Sequence, residues 1–236
     1  MLVTKLLTYG LAALLPLLAA TQVSAGSRVL GVVSVAGVPA KPKPLPVFKS
    51  RSFCGARVAN ETLLINGDGR LRNAAVILRP LGAITATPPA SIVLDNQRCA
   101  FTPHVQIAPV GSELLLKNSD PILHTVHARL GRETLFNVGL PKWRQVTKRL
   151  DRVGIIRIDC DVLHTWMSAA IIVTDAPYYA VTDDKGEFSF DAIPPGNYEI
   201  EIWHERLGRQ GQPITVRDPG TKAIDVIFSL ENKPRS

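Results

Sequence analysis

The sequence predicts an all-β protein. Short runs rich in valine, isoleucine, phenylalanine and tyrosine recur along most of the 236 residues, and glycine, proline, asparagine or aspartate separates them. Helical periodicity is nearly absent after the first 25 residues. Closely spaced short strands of this kind are typical of a β-sandwich or barrel. The runs include VLGVVSV, NAAVILRP, HVQIAPV, ELLLKN, GIIRIDC, AAIIVTD, GEFSFDAI, NYEIEIW and AIDVIFSL.

The first 25 residues have the pattern of an export signal. Lys5 supplies a positive charge, residues 6–20 form an apolar run, and the VSA sequence at 23–25 matches a small-residue cleavage site. A membrane anchor is the alternative, but Gly10 and Pro16 interrupt the run, which is shorter than the ~20 residues that a spanning helix needs. We therefore predict export to the periplasm of a Gram-negative-like cell, with no membrane span after the signal is removed.

The chain is moderately basic. Its formal net charge is +7, and removal of the signal would leave +6. No dense block of lysine and arginine indicates a nucleic-acid-binding surface. A basic stretch surrounds Trp143; we interpret it as solvated surface, with docking of an acidic partner protein as the alternative. Its cations are Lys142, Arg144, Lys148, Arg149 and Arg152.

The chain has three cysteines, an odd number for an oxidising compartment. Cys54 and Cys99 both lie in loop-like sequence. A bridge between them would close a loop of ~45 residues and, in the chain-entropy model, would stabilise the folded protein by ~4 kcal/mol. We predict this disulfide, which leaves Cys160 free beside His164 and Met167 in the segment CDVLHTWM, residues 160–167.

The section from 101 to 167 resembles the cupredoxin family. The matching motifs are FTPHV at 101–105, GSE at 111–113, NSDPILH at 118–124 and the C-x3-H-x2-M loop at 160–167. The resemblance implies a Greek-key β-sandwich and one copper ion per chain. The ligands that it implies are His124, Cys160, His164 and, more weakly, Met167. The loop spacing also resembles the second half of the dinuclear copper loop of cytochrome oxidase, but Ile156 stands where the first cysteine would be, which excludes a two-copper site.

The strand pattern supports the same ligand set. In GIIRIDC, Ile156, Ile158 and Cys160 fall on one face of the strand, so the thiol lies at the end of a buried apolar row. His124 comes from a separate strand, and the loop after Cys160 can return His164 to the same point. Two imidazoles, a thiolate and a distant thioether favour a blue-copper site. Zinc is a competitor for a cysteine–histidine site.

Other histidines are weaker candidates for the metal. His127 lies three residues after His124, so a straight strand turns it to the opposite face, and it joins the ligands only if the chain bends. His104 is a further possible ligand, although its FTPH segment is already explained as the start of a strand. His204 is expected to be structural, at the junction of two modules. Trp166 either covers the metal or is a core aromatic residue.

The sequence contains no motif of a common enzyme active site. G-x-S-x-G, HExxH and a glycine-rich phosphate loop are all missing from it. Asp120, Asp159 and Asp161 flank the proposed ligands, and we predict that all three face outward as loop and rim residues. An electron carrier is therefore expected rather than an enzyme.

The end of the chain resembles the carboxypeptidase regulatory-like, transthyretin-like sandwich. The segments TDDKGEFSF at 182–190 and IPPGNY at 193–198 match the second half of that pattern, and its first half is similar to GVVSV at 31–35 and NAAVIL at 73–78. We therefore expect a sandwich interrupted by the copper module, with two domains in series as the alternative. The predicted divisions are a signal at 1–25, N-terminal strands at 26–85, the copper module at 86–175, the regulatory-like sandwich at 176–232 and a tail at 233–236.

Nearly the whole chain after the signal resembles bacterial periplasmic proteins of the methylamine-utilisation-like group. The similar segments are NSDPILHTVHA, CDVLHTWM and YYAVTDDKGEFSF. The first functional hypothesis is one-electron transfer by copper to or from a periplasmic redox protein such as a cytochrome. The alternatives are a copper carrier or small-molecule-responsive protein of the red-copper type, and a metal-free binding or scaffold module.

Overall fold

The computed structural model describes residues 26–37, 42–217 and 220–229; the predicted export signal and tail lie outside these ranges. The described residues form 18 strands and one short helix, which confirms the all-β prediction. The elements are β1 (Ser27–Ala36), β2 (Leu45–Pro46), α1 (Arg51–Cys54), β3 (Arg57–Val58), β4 (Ala75–Pro80), β5 (Ser91–Gln97), β6 (Ala100–Thr102), β7 (Val105–Pro109), β8 (Ser112–Asn118), β9 (His124–Leu130), β10 (Glu133–Leu140), β11 (Gln145–Leu150), β12 (Gly154–Asp159), β13 (Ser168–Thr174), β14 (Tyr178–Val181), β15 (Glu187–Ile193), β16 (Gly196–His204), β17 (Gly208–Val216) and β18 (Thr221–Ser229). Among these residues, no helix has the length and apolar character needed to cross a membrane.

The middle sandwich, defined here as β5–β13, consists of two sheets. One has the strand order β10-β9-β12-β13-β7 and the other β11-β8-β5-β6. The parallel pairs β5–β8 and β13–β7 require the chain to cross between the sheets, so the strands do not form a simple meander. Alternate residues of both sheets meet in one apolar core, which includes Leu94, Leu114, Leu116, Val126, Ile156, Ile158 and Ile171.

The outer sandwich combines strands from both ends of the chain. β1 lies between β15 and β18, while β4 lies between β14 and β16, with β17 beyond. At Gly31 an added Cβ would lie 1.8 Å from the carbonyl oxygen of Ile224 and 2.6 Å from the Phe188 ring. Glycine is therefore needed where β1 passes between its two neighbours. The middle sandwich stands in the sequence between β4 and β14.

The two sandwiches share an apolar junction. β4 buries one face in the outer sandwich and the other against the middle one, which explains its continuous hydrophobic sequence. The junction residues are Ala75, Ile77, Val105, Ile107, Ala170, Ile172, Ala176 and Trp203. Two ion pairs also link elements across it: Arg79 with Asp175, at 2.7 Å, and His104 with Glu205.

Residues 42–60, which we call the strap, leave the outer sandwich between β1 and β4. The strap contains the β2–β3 pair and α1. Its Val47 is buried in the core of the middle sandwich. A disulfide joins Cys54 at the end of α1 to Cys99 in the β5–β6 turn. A segment of the outer sandwich is thus fixed onto the middle sandwich.

Candidate metal centre

Three potential metal ligands meet at one end of the middle sandwich. His124 begins β9, Cys160 follows the last residue of β12, and His164 lies in the loop to β13. Because β9 and β12 are hydrogen-bonded neighbours, their ends bring His124 and Cys160 together. All three side chains are buried, with exposed fractions of 0%, 4% and 1%. The alternation predicted for GIIRIDC is also observed, since Ile156 and Ile158 are buried on the same face.

The donor atoms form a triangle of a size that suits one metal ion. The Nδ1 atoms of His124 and His164 are 3.1 Å apart, and the Sγ atom of Cys160 lies 3.9 Å and 3.7 Å from them. The circle through the three atoms has a radius of about 2.1 Å. Typical distances in zinc sites are ~2.0–2.1 Å to nitrogen and ~2.3 Å to sulfur. A point ~2.0 Å from both nitrogens lies ~2.2 Å from the sulfur, so the donors fit an ion without rearrangement.

Asp120 orients the imidazole of His124. Its Oδ2 atom lies 3.0 Å from His124 Nε2 and also accepts the backbone N–H of Cys99 at 2.8 Å, while Oδ1 accepts the N–H of Arg98 at 2.7 Å. A carboxylate at Nε2 keeps the proton there and turns the lone pair of Nδ1 towards the triangle. The prediction that Asp120 faces outward is wrong, because the β5–β6 turn supplies two N–H groups that hold the carboxylate inside; its exposed fraction is 2%.

His164 is held from outside the middle sandwich. Its Nε2 atom lies 3.2 Å from the hydroxyl oxygen of Ser50 in the strap. Its ring packs against Trp166, with the centroids 5.1 Å apart, and the Trp166 indole N–H donates to the Cys99 carbonyl oxygen at 3.0 Å. Ser50 was not found from the sequence, because it lies 114 residues before His164 and has no pattern that would single it out.

The Cys160 sulfur accepts hydrogen bonds from Thr125. The backbone N–H of Thr125 lies 3.4 Å from it and the hydroxyl oxygen 3.7 Å. That hydroxyl in turn accepts the backbone N–H of Asp161 at 2.7 Å, which keeps it in place. These contacts fix the position of the sulfur, whose thiolate is the form that binds metal. Thr125 follows His124 directly, so one strand end supplies both an imidazole and the partners of the thiol.

Burial keeps both imidazoles in the neutral form that binds metal. It lowers the pKa of His124, against the opposing effect of Asp120. Burial also lowers the pKa of His164 to about 4, and the neighbouring His124 and the positive charge of Lys49 add to this effect. Neutral imidazole is the form required of a metal ligand, so the centre is ready for an ion at neutral pH.

Met167 lies in the loop that carries His164. Its side chain is buried in the core of the middle sandwich together with Cys160 and Trp166. The loop closes with a hydrogen bond from the Met167 backbone N–H to the His164 carbonyl oxygen at 2.9 Å. Met167 therefore belongs to the wall of the centre, and its bond to a metal stays a prediction.

The structure does not bring His127 or His104 to the triangle. β9 is not bent after His124, so His127 points to the opposite face, where Thr134 lies 2.8 Å from its Nε2 and Asp161 2.9 Å from its Nδ1. His104 pairs with Glu205 at the junction. Burial lowers the pKa of His104, but the hydrogen bond and charge of Glu205 outweigh it, and the net shift is upward. The cluster of metal-binding groups found in the described ranges is His124, Cys160 and His164.

His204 is buried at the junction, as the sequence predicts. Its Nδ1 accepts the backbone N–H of Arg206 at 3.2 Å. Burial, followed by the charges of His104 and Arg206, lowers its pKa to about 4. Asp159 and Asp161 are partly exposed rim residues, as the sequence predicts for these two carboxylates. Asp159 pairs with Arg129, and Asp161 with His127.

No family model and no curated protein matches the chain. The solved structures that match part of the chain include a purple cupredoxin, an amicyanin and a copper-containing nitrite reductase. A purple cupredoxin from Nitrosopumilus maritimus is 20% identical, with 36% of this chain and 99% of that chain covered and a TM-score of 0.32. A reduced amicyanin variant is 17% identical, with 42% and 99% covered and a TM-score of 0.32.

A copper-containing nitrite reductase from Thermus scotoductus is 19% identical, with 41% of this chain covered and a TM-score of 0.33. The match spans only a quarter of the nitrite reductase chain, 25%. All three likenesses concern less than half of this chain. The three-donor cluster, and not these likenesses, carries the functional conclusion.

Proposed function

We propose that this chain is a periplasmic mononuclear copper protein that transfers single electrons to or from a redox partner such as a cytochrome. The observation that carries the proposal is the buried triangle of two imidazole nitrogens and one thiol sulfur. Copper held there would supply a one-electron couple between Cu(I) and Cu(II). An electron carrier is favoured over an enzyme, since the groups around the triangle orient its donors and none of them is a base beside a nucleophile.

The donor set favours copper over zinc. Thiolate and thioether sulfur suit Cu(I), and imidazole nitrogen suits Cu(II), so the two states can share one set of ligands. Met167 supplies the thioether, in the loop that also carries His164. The donors are buried and are oriented by Asp120, Ser50 and Thr125. Donors fixed in this way need not move when the charge of the ion changes, which keeps electron transfer fast.

Metal analysis and a visible spectrum of the protein purified from periplasm test the proposal. We expect one copper ion per chain and an intense thiolate-to-copper band. Cys160→Ser should abolish the band, while His127→Ala, the matched control on the same strand, should leave it unchanged. Protein that contains only zinc would contradict the choice of copper, and equal effects of His127→Ala and His124→Ala would contradict the ligand assignment. Protein that binds no metal would favour the scaffold alternative.

The domain division forms a second part of the proposal. The regulatory-like sandwich comprises residues 26–85 and 176–232, and the copper module at 86–175 is inserted into it. The pairing of β1 with β15 and β18, and of β4 with β14 and β16, supports this division. Periplasmic location is supported by the export pattern and by the disulfide, which is typical of an oxidising compartment.

A further inference from the structure

The strap closes the outer edge of the proposed copper ligand His164. The Nδ1 atom of this ring faces the triangle, and the opposite Nε2 atom meets the Ser50 hydroxyl oxygen at 3.2 Å. Ser50 adopts a left-handed conformation, with φ of 59°, directly before α1. This conformation is unfavourable for a residue with a Cβ atom, so the surrounding contacts must hold it. His164 is left with an exposed fraction of 1%.

The Cys54–Cys99 disulfide connects the outer partners of both imidazoles. On one side, the Cys54 backbone N–H donates to the Ser50 carbonyl oxygen at 2.9 Å, and Ser50 contacts His164. On the other side, the Cys99 N–H donates to the same Asp120 oxygen that contacts His124. One covalent bond therefore joins the segment that closes His164 to the segment that orients His124.

The apolar side chains that pack the strap onto the middle sandwich, apart from Cys54 itself, lie on either side of α1, at Leu45, Val47 and Val58. α1 has no buried residue, and Phe48 and Phe53 are exposed, at 74% and 44%. Val47 is the buried apolar anchor before Ser50. A segment with so little buried surface has low local stability, so its position depends on the disulfide. The strap also borders a cavity of about 380 Å³ whose wall includes Cys99, Trp166 and Met167.

We propose that Ser50 is a positioning residue that closes the metal centre, and that the Cys54–Cys99 disulfide holds Ser50 in place. With the strap fixed, the centre excludes small anions and other exogenous ligands, and His164 keeps one orientation. With the strap released, the Nε2 edge of His164 is uncovered and the centre opens from that side. A closed centre is expected of an electron carrier, whereas an open centre would allow small molecules to bind the copper. The role of this closure rests on the proposed function, but the closure itself can be measured in the metal-free chain.

Alkylation of the metal-free protein tests closure directly. Cys160 is the free thiol and is buried, so its rate of reaction with iodoacetamide reports how often the centre opens. The variants are Ser50→Ala, the double change Cys54→Ser with Cys99→Ser, and Ser52→Ala as a matched control on the exposed side of α1. We expect the double variant to react more than ten-fold faster than the native protein. Ser50→Ala should react about five-fold faster, the factor that ~1 kcal/mol for one hydrogen bond corresponds to.

The result that would overturn the proposal is a Ser50→Ala rate equal to that of Ser52→Ala. Circular dichroism and the denaturation midpoint show whether a variant is folded. If the double variant does not fold, Ser50→Ala alone decides the outcome, since it removes one hydroxyl from a partly exposed loop.

A second readout uses the copper-loaded protein. Azide should shift the spectrum of Ser50→Ala at concentrations that leave the native protein and Ser52→Ala unchanged. Equal azide affinities in all three proteins would also overturn the proposal. If none of the proteins binds copper, the proposed function fails, whereas the alkylation rates still decide whether the strap closes the centre.

Discussion

Asp120→Asn is the change that tests most sharply how the metal centre is organised. The side chain keeps its size but replaces one acceptor oxygen by an NH₂ donor. In the native protein the two oxygens accept three hydrogen bonds, from the N–H groups of Arg98 and Cys99 and from His124 Nε2. An asparagine cannot satisfy all three. If the NH₂ group replaces Oδ2, it faces both His124 and the N–H of Cys99; if it replaces Oδ1, it faces the N–H of Arg98.

The consequences can be estimated from these contacts. If the NH₂ group donates to Nε2 of His124, the ring proton moves to Nδ1, the atom that faces the triangle, and this tautomer cannot bind a metal there. Loss of such an outer partner typically lowers metal affinity ~10–100-fold. In either orientation one N–H of the turn, that of Cys99 or that of Arg98, loses its acceptor, and the free energy of unfolding falls by ~1–3 kcal/mol. We therefore expect a loss of stability in both orientations, and a loss of metal affinity to the extent that the NH₂ group faces His124.

Two measurements separate the effects. Competition with a chelator of known affinity gives the metal affinity, and denaturant titration of the metal-free protein gives the stability. Asp161→Asn is the control: it also adjoins Cys160, but its carboxylate contacts His127 and Asn137 outside the triangle. Asp161→Asn should change metal affinity less than three-fold. If Asp120→Asn binds metal as tightly as Asp161→Asn does, Asp120 does not orient His124 and the reasoning is refuted.

Three further predictions concern stability. Replacing Cys54 and Cys99 by serine should lower the unfolding free energy by ~4 kcal/mol, since the bond spans 45 residues; a loss below ~1 kcal/mol in a denaturant titration would contradict this. The metal-free protein should lose stability as the pH falls from 6.5 towards 4, because His164 and His204 have pKa values of about 4 when folded and bind protons only after unfolding. At pH 4.5 the free energy of unfolding should be lower by ~2 kcal/mol for each of these two histidines. Equal denaturation midpoints at pH 7 and pH 4.5 would contradict this prediction. His104→Leu should cost ~2 kcal/mol because the Glu205 carboxylate loses its hydrogen-bond partner, yet leave the visible spectrum of the copper form unchanged; a loss of that spectrum would place His104 at the centre after all.

The parts of the fold that follow from local periodicity could be predicted from the sequence. Strand alternation in GIIRIDC places Ile156, Ile158 and Cys160 on one face, and all three are buried there. The same rule turns His127 away from His124, and the structure keeps β9 straight enough for the rule to hold. These features depend on neighbouring residues alone, because side chains in a strand alternate between two faces.

The parts of the centre that the sequence did not reveal depend on contacts between distant segments. Asp120 was expected on the rim, but its burial depends on two N–H groups that lie 21 and 22 residues earlier, in a turn fixed by the disulfide. Ser50 carries no motif and reaches His164 only because the strap crosses the end of the middle sandwich. The odd number of cysteines, which singled out Cys160, also indicated the Cys54–Cys99 disulfide, which positions both Ser50 and Asp120. The count alone does not indicate what that bond holds in place.

The strap belongs to the outer sandwich but contacts the candidate metal centre of the middle sandwich. The strap is a connection of the outer sandwich, between β1 and β4, yet its Ser50 acts on a ligand of the middle sandwich. β4, at the end of that connection, is buried on both faces and packs against β7 and β13. β13 begins directly after the loop that carries His164 and Met167. The outer sandwich therefore supports the middle one at two places: the strap contacts His164, and β4 packs against the strand that follows the His164 loop. A middle sandwich cut free of the outer one would lose both supports, which is a physical reason for the insertion that we propose.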